Sequence, residues 1–321
     1  MNPYMPQWFL CRREEFEPAY LKTYDKNLLE KKIEKGLKFL EKCEVCARKC
    51  GVNRVENKIG FCGIGRNAMV SSYFPHRGEE DCLRGFKGSG TVFFSGCNLK
   101  CVFCQNFEIS WLKIGKEVKA EELANMMIEL QKMGCHNINL VTPSHVVPQF
   151  LESLKIAIEK GLNLPIVYNT GTYDSLETIK VLNGIIDIYM PDFKFWDKEL
   201  CKKFLNAPDY AENARVLIKE MFRQVGHLRF DENGLALRGL LVRHLVMPNL
   251  LHQSKKILEW LAKEIGKDCY VNVMEQYYPA GLVLAQPKKF KDISRPLRWD
   301  EYEEILNYAK NLGLRLDVRW L

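Results

Sequence analysis

Residues 90–106 read Gly90-Thr91-Val92-Phe93-Phe94-Ser95-Gly96-Cys97-Asn98-Leu99-Lys100-Cys101-Val102-Phe103-Cys104-Gln105-Asn106. The β-rich run 91–95 ends at a glycine, and three cysteines follow on the loop with the spacing C-x3-C-x2-C. From Gly90 onward, short β-rich runs alternate with amphipathic helices. Strands are predicted at 91–95, 137–141, 165–169, 185–190, 240–246, 269–274 and 314–318. Between them, Leu123, Met126, Met127, Leu130 and Met133 make one apolar helical stripe. Ala214, Ile218, Met221, Phe222 and Val225 make another, and Tyr302, Ile305, Leu306, Ala309 and Leu312 the last. Such alternation means a parallel sheet covered by helices. A closed or partly closed βα barrel and a doubly wound sheet both fit it.

Upstream of this series the pattern differs. Residues 1–27 lack periodicity and read as an irregular arm. Leu29, Ile33, Leu37 and Leu40 predict an amphipathic helix near 27–42. Residues 43–66 are rich in cysteine and poor in apolar side chains, so a metal would have to organise them. The whole chain, 321 residues and 47% hydrophobic, can bury one large core, or a core plus a small module. Its net charge of +7 is spread among mixed Lys, Arg, Glu and Asp. That is a solvated surface, and no nucleic-acid partner is expected. The first residues lack the layout of a signal peptide, and no apolar run approaches a membrane span. A soluble, cytoplasmic protein with no membrane partner is expected.

Twelve cysteines in a cytosolic chain suggest metal or redox chemistry. Three thiolates on one short loop, Cys97, Cys101 and Cys104, can hold three irons of a cubane and leave the fourth open. A ferredoxin closes all four with cysteine, and a structural zinc wants a fourth Cys or His nearby. The open position therefore suggests binding of a substrate or cosubstrate. Cys43, Cys46, Cys50 and Cys62 form a second group, C-x2-C-x3-C-x11-C. Four thiolates suit zinc or an iron–sulfur cluster equally. A structural metal is expected there, with an auxiliary electron-relaying cluster as the alternative. Cys11, Cys82, Cys135, Cys201 and Cys269 are dispersed and read as small buried hydrophobes or incidental thiols.

In a barrel, polar residues just after successive strands converge on one face. Here these are Thr142 to His145, Asn169 to Asp174, Asp192 and Lys194, Arg243 and His244, and Glu275 to Tyr277. Asp174 is placed to N-cap the following helix. Asp192 with Lys194 reads equally as a functional pair or a plain ion pair, and His145 and His244 equally as structural histidines. Glu275 interrupts a buried strand end. His76, Glu79 and Glu80 read as an exposed acidic loop, with a place at the active-site mouth as the alternative.

The stretch 88–106 resembles the radical S-adenosylmethionine (SAM) superfamily, whose signature is this C-x3-C-x2-C, and Phe103 matches its usual aromatic. With 137–148, 168–174, 190–195, 242–248 and 271–279, it is similar to uncharacterised relatives of pyruvate formate-lyase activating enzyme. The resemblance implies an α/β fold, a partial (β/α)6 TIM-like barrel over 76–321, preceded by a small cysteine-rich N-terminal module over 1–75. It implies a [4Fe–4S] cluster on Cys97, Cys101 and Cys104, SAM as cosubstrate, and an electron donor such as flavodoxin or ferredoxin. Thr142 and Ser144 fall where relatives carry a Gly-Gly-Glu motif against the SAM amino group, a motif this chain lacks. Asn169 and Thr170 would meet ribose or carboxylate, Asp192 and Lys194 match an acidic–basic pair, and Arg243 would pair with the SAM carboxylate. The expected reaction is reductive cleavage of SAM to a 5′-deoxyadenosyl radical, which takes hydrogen from a substrate. A glycine of a partner protein is one such substrate. A small molecule or peptide is the alternative, and a non-enzymatic iron–sulfur or zinc protein the second alternative.

Overall fold

The computed structural model describes residues 6–317. The strands are β1 (Ala68–His76), β2 (Ser89–Phe94), β3 (Lys116–Val118), β4 (Ile138–Val141) and β5 (Ile166–Thr170). They continue with β6 (Ile188–Pro191), β7 (Arg229–Phe230), β8 (Ala236–Leu245), β9 (Tyr270–Met274) and β10 (Arg315–Leu316). Their order is β10-β9-β8-β6-β5-β4-β2-β1-β3, with β7 paired to β8 beside that path. From β2 to β10 along this path every pairing is parallel. β1 and β3 add an antiparallel edge. The sheet does not close, so the fold is α/β with a partial barrel. The last predicted strand is present only as β10; Val318 lies outside the described residues.

Each parallel crossover carries a helix whose apolar stripe faces the sheet. The helix Ala120–Lys132 buries Leu123, Ala124, Met127, Ile128 and Leu130. Met133, counted in that stripe from the sequence, is instead the C-cap and is 55% exposed. Gly134 follows it at φ +84°, the left-handed turn that lets Cys135 N–H donate back to Leu130 O.

Within the barrel the alternation of strand side chains sorts residues into layers. Val167, Ile188, Met190, Leu241 and Tyr270 form an apolar floor. The short helix Asp81–Arg84 plugs it with Cys82 and Leu83, both buried. Burying a leucine there contributes about 2 kcal/mol. Two residues further along the same strands stand Asn169, Asp192, Arg243 and Asn272, a polar layer directly above the plug.

The N-terminal segment packs on this barrel. Residues 6–27, expected to be irregular, contain the helix Ala19–Asp25. Tyr20 and Thr23 anchor it by donating to Leu164 O and Gly184 O at 2.9 and 2.6 Å. The predicted second helix is Leu29–Glu41, burying Leu29, Ile33, Gly36 and Leu40. Cys43, Val45, Cys62 and Ile64 join the main core, and β1 crosses the 75/76 boundary drawn from the sequence.

Candidate functional site

A cavity of about 730 Å³ opens at the C-terminal ends of the parallel strands. Cys97, Cys101 and Cys104 line it, and among the described residues no fourth cysteine does. The loop that carries them needs unusual backbone. Gly96 has φ +79°, and a Cβ there would lie 2.6 Å from Cys62 O. Leu99 N–H and Lys100 N–H then point at Cys97 Sγ, at 3.3 and 3.5 Å. Ser110 Oγ donates to Cys104 Sγ at 3.1 Å. Burial raises the Cys97 and Cys101 pKa values, while the Lys194 ammonium works the other way on both. Three sulfurs with N–H, O–H and cationic neighbours are a donor set for an iron–sulfur cluster with one iron left open.

Facing the cysteines is a buried charged network centred on Arg243. Its Nε donates to Asp192 Oδ1 at 2.8 Å and its Nη2 to Asn169 Oδ1 at 2.7 Å. Its Nη1 lies 3.9 and 3.8 Å from Glu79 and Glu80. Lys194 Nζ holds the other oxygen of Asp192 at 2.7 Å. Burial opposes ionisation of Asp192, yet Arg243 and Lys194 prevail and its pKa is lowered. Burial likewise opposes the Lys194 charge, and Asp192 and Cys101 outweigh it. Both stay charged. Arg243 therefore has its fork already occupied by protein acceptors, a different arrangement from a free partner for a ligand carboxylate.

Glu79 and Glu80 are not the exposed acidic loop favoured from the sequence. Their side chains are only 8% and 4% exposed, because the chain after β1 turns into the open barrel. Glu80 Oε1 accepts from Asn272 Nδ2 on β9 at 2.9 Å, tying one end of the strand order to the other. Burial pushes its pKa up to about 7, with Arg243 opposing and Glu79 adding to the rise. His76 pairs with Glu79 at 3.3 Å.

Of the other polar residues, Thr142 and Asn169 line the cavity. Ser144 and Thr170 stand behind it. They share a 2.8 Å hydrogen bond, and Thr170 donates to Asp174 Oδ2 at 2.7 Å. Asp174 does not cap the next helix; Ser175 does, accepting from Thr178 N–H. Asp174 is instead fully buried and takes a second donor, Tyr168 OH, at 2.6 Å. His145 and His244 are structural: His145 Nε2 meets Ser95 O at 2.9 Å. His244 bridges Phe193 O and Ser254 Oγ at 2.7 and 2.8 Å. Met274 and Gln276 line the cavity where Glu275 does not. Asn272 and the buried state of Glu79 and Glu80 escaped the sequence reading. Asn272 had a signal, being polar at the inward phase of an apolar strand.

The second cysteine group lies beside the first. Cys43, Cys46 and Cys62 are buried and Cys50 is exposed. Cys46 bridges to Asp174, and Ala47 N–H donates to Tyr173 O. Arg48 fastens this segment to the cluster loop, donating to Asn98 O at 2.8 Å and Leu99 O at 3.5 Å. Among the described residues, no three His, Cys, Asp or Glu side chains form a group that could hold one metal ion.

Residues 91–230 match the family described as the Radical SAM superfamily. An uncharacterized protein of Methanocaldococcus jannaschii, MJ0674, is 33% identical over 310 residues, covering 94% of this chain and 84% of the relative. MJ1227 of the same organism, named for glycyl-radical enzyme activation, is 26% identical, covering 70% of this chain and 85% of the relative. Pyruvate formate-lyase-activating enzyme of Clostridium pasteurianum is 32% identical over 93 residues, 26% of this chain and 39% of the relative. The cysteine loop at the strand ends, the open barrel around it and these likenesses agree: the chain belongs to the radical SAM superfamily.

Proposed function

We propose that Cys97, Cys101 and Cys104 hold a [4Fe–4S] cluster whose open iron takes SAM. The observation that carries this is the convergence of three cysteines, and among the described residues no fourth, on a cavity lined by Asp192 and Lys194. Cluster and SAM together supply a 5′-deoxyadenosyl radical by one-electron cleavage of the sulfonium. The chain's own part is to bind and orient. Lys194 and the Leu99, Lys100 and Ser110 donors steady the sulfur charges. Thr142 and Asn169 offer hydrogen bonds to the ribose and amino-acid ends of SAM. The Arg243 network keeps Asp192 charged despite its burial. Ser144 and Thr170 hold the second strand-end turn from behind.

The substrate we infer is a glycine of a partner protein, as the names of MJ1227 and the Clostridium protein support. A flavodoxin or ferredoxin of the cytoplasm would supply the electron. Iron-loaded, reduced protein mixed anaerobically with SAM should release 5′-deoxyadenosine and methionine. Absence of both would refute the reading. A glycyl-radical signal on a partner protein after turnover would establish the activase assignment, and hydrogen loss from a small molecule would replace it.

A further inference from the structure

We propose that Cys43, Cys46, Cys50 and Cys62 hold a second iron–sulfur cubane, adjoining the Cys97/Cys101/Cys104 centre and feeding it electrons. The adjacency rests on the function proposed above; the metal assignment does not.

The backbone draws the four thiols into a ring. Cys43 N–H donates to Val52 O at 2.9 Å and Gly51 N–H to Cys43 O at 3.1 Å, which sets Cys43 beside the Cys50 turn. Gly60 backs onto Cys50: a Cβ there would lie 2.4 Å from Cys50 Sγ. Lys49 N–H donates to Cys46 O at 3.0 Å, closing the turn that leads into Cys50, and Gly63 N–H to Gly60 O at 3.0 Å, closing the turn that carries Cys62. The turns of Cys43, Cys46 and Cys62 thus each adjoin Cys50.

Arg54 supplies an independent reason for negative charge here. It is the largest fully buried side chain, at 0% exposed. Its Nε and Nη1 donate to neutral carbonyls, Gly65 O at 3.0 Å and His145 O at 2.7 Å, and among the described residues no carboxylate pairs with it. Nη1 also lies 3.9 Å from Cys43 Sγ, and Nη2 is buried with no partner. A buried guanidinium without an anion costs several kcal/mol. Four metal-bound thiolates would provide that anion, whereas protonated thiols do not.

Adjacency favours a cubane over zinc: Cys62 O backs onto Gly96, beside Cys97, where an iron–sulfur cluster can pass electrons and zinc, which has no redox chemistry, cannot. Four sulfurs on one zinc ion stand about 3.8 Å apart, from Zn–S bonds of ~2.3 Å. No three such groups close on a single ion among the described residues. A cubane instead binds each thiolate at a separate iron. The two sets nearly touch. Cys62 O faces Gly96, the residue before Cys97, and Arg48, two residues after Cys46, donates to Asn98 O at 2.8 Å. Exposed Cys50 marks the outer corner. There a low-potential one-electron donor protein would be oxidised by one electron, and that electron would pass through the second cluster to reduce the Cys97/Cys101/Cys104 cluster, with no bond made or broken.

The test uses the full-length chain loaded anaerobically with iron and sulfide. The Cys97→Ala/Cys101→Ala/Cys104→Ala variant should retain about four irons and four sulfides. Its electron paramagnetic resonance signal after dithionite reduction should be indifferent to SAM. Zinc in place of iron, or no metal, overturns the proposal, and neither result touches SAM cleavage by the unaltered chain. In the fully reduced, unaltered chain the two spins should broaden one another, and a spectrum equal to the sum of two isolated clusters overturns the adjacency. Cys50→Ala, added to that triple variant, should leave one iron without a cysteine, so that brief ferricyanide oxidation releases it and gives a three-iron signal. An unchanged signal overturns the assignment of Cys50.

Discussion

The two cysteine sets sit side by side and are built on opposite plans. Cys97, Cys101 and Cys104 open on a cavity of about 730 Å³ whose far wall is a network of paired charges. Cys43, Cys46 and Cys62 are buried in the core, and the carbonyl-held Arg54 reaches Cys43 Sγ at 3.9 Å. Three ligands facing paired charges and open space make a centre that can accept something. On the proposal above, four thiolates beside one buried cation would leave no open ligand position. Ligand count and lining, taken together, would then separate the reacting centre from its electron supply.

The largest test of this contrast is at the open set. Replacing Cys97, Cys101 and Cys104 by alanine should lower 5′-deoxyadenosine formation at least ~1,000-fold, about 4 kcal/mol in barrier. The same assay on iron content should find the closed set still loaded; if both empty together, the two are one unit.

Acidification should come next. His145 lies between the sets, its ring on Ser95 O and its carbonyl on Arg54. Burial, with Arg54 adding, pushes its pKa down to about 4 from 6.5 despite the Ser95 bond. Between those values the unfolded chain binds the extra proton. Stability is therefore full above pH 6.5 and falls by about 3 kcal/mol as pH drops through 4. Urea unfolding across that window should show the slope, and His145→Gln should flatten it.

Arg54→Met should cost about 2 kcal/mol in urea unfolding, by leaving Gly65 O and His145 O without donors. It should also loosen metal at the closed set only. An equal loss from both sets would erase the distinction drawn between them. The smallest effect should come from Lys194→Met. SAM cleavage should fall about tenfold, 1.4 kcal/mol, with a raised KM for SAM and no change in the metal of the closed set.

Much of this was legible in the chain. The parallel strands announce themselves as apolar runs, because a sheet covered on both faces selects for them. The residues at or just beyond their C-terminal ends reach the cavity for the same topological reason, as Thr142, Asn169, Asp192 and Lys194 do. What stayed hidden depends on partners far away in sequence. β1 mixes Ser71, Ser72 and Pro75 into a half-buried edge and shows no clean period. Glu79 and Glu80 look like surface acids until Arg243 and Asn272 are brought to them. Asp174 has the composition of a cap, and only Tyr168 and Thr170 reveal it as a buried acceptor. Arg54 looks like one more surface arginine, since nothing local says that every path to water is blocked.

The tie between Glu80 and Asn272 has a consequence during synthesis. Its partners are 192 residues apart. At ordinary translation rates, that interval lasts ~10–40 s. Through that time the plug helix Asp81–Arg84 has no barrel to enter, and Cys82 and Leu83 face solvent or a chaperone. The interior is sealed among the last events of folding, after most of the strands have left the ribosome. Slow maturation of the barrel, well after the first crossovers form, is the expected signature in pulse-labelled hydrogen exchange of nascent chains.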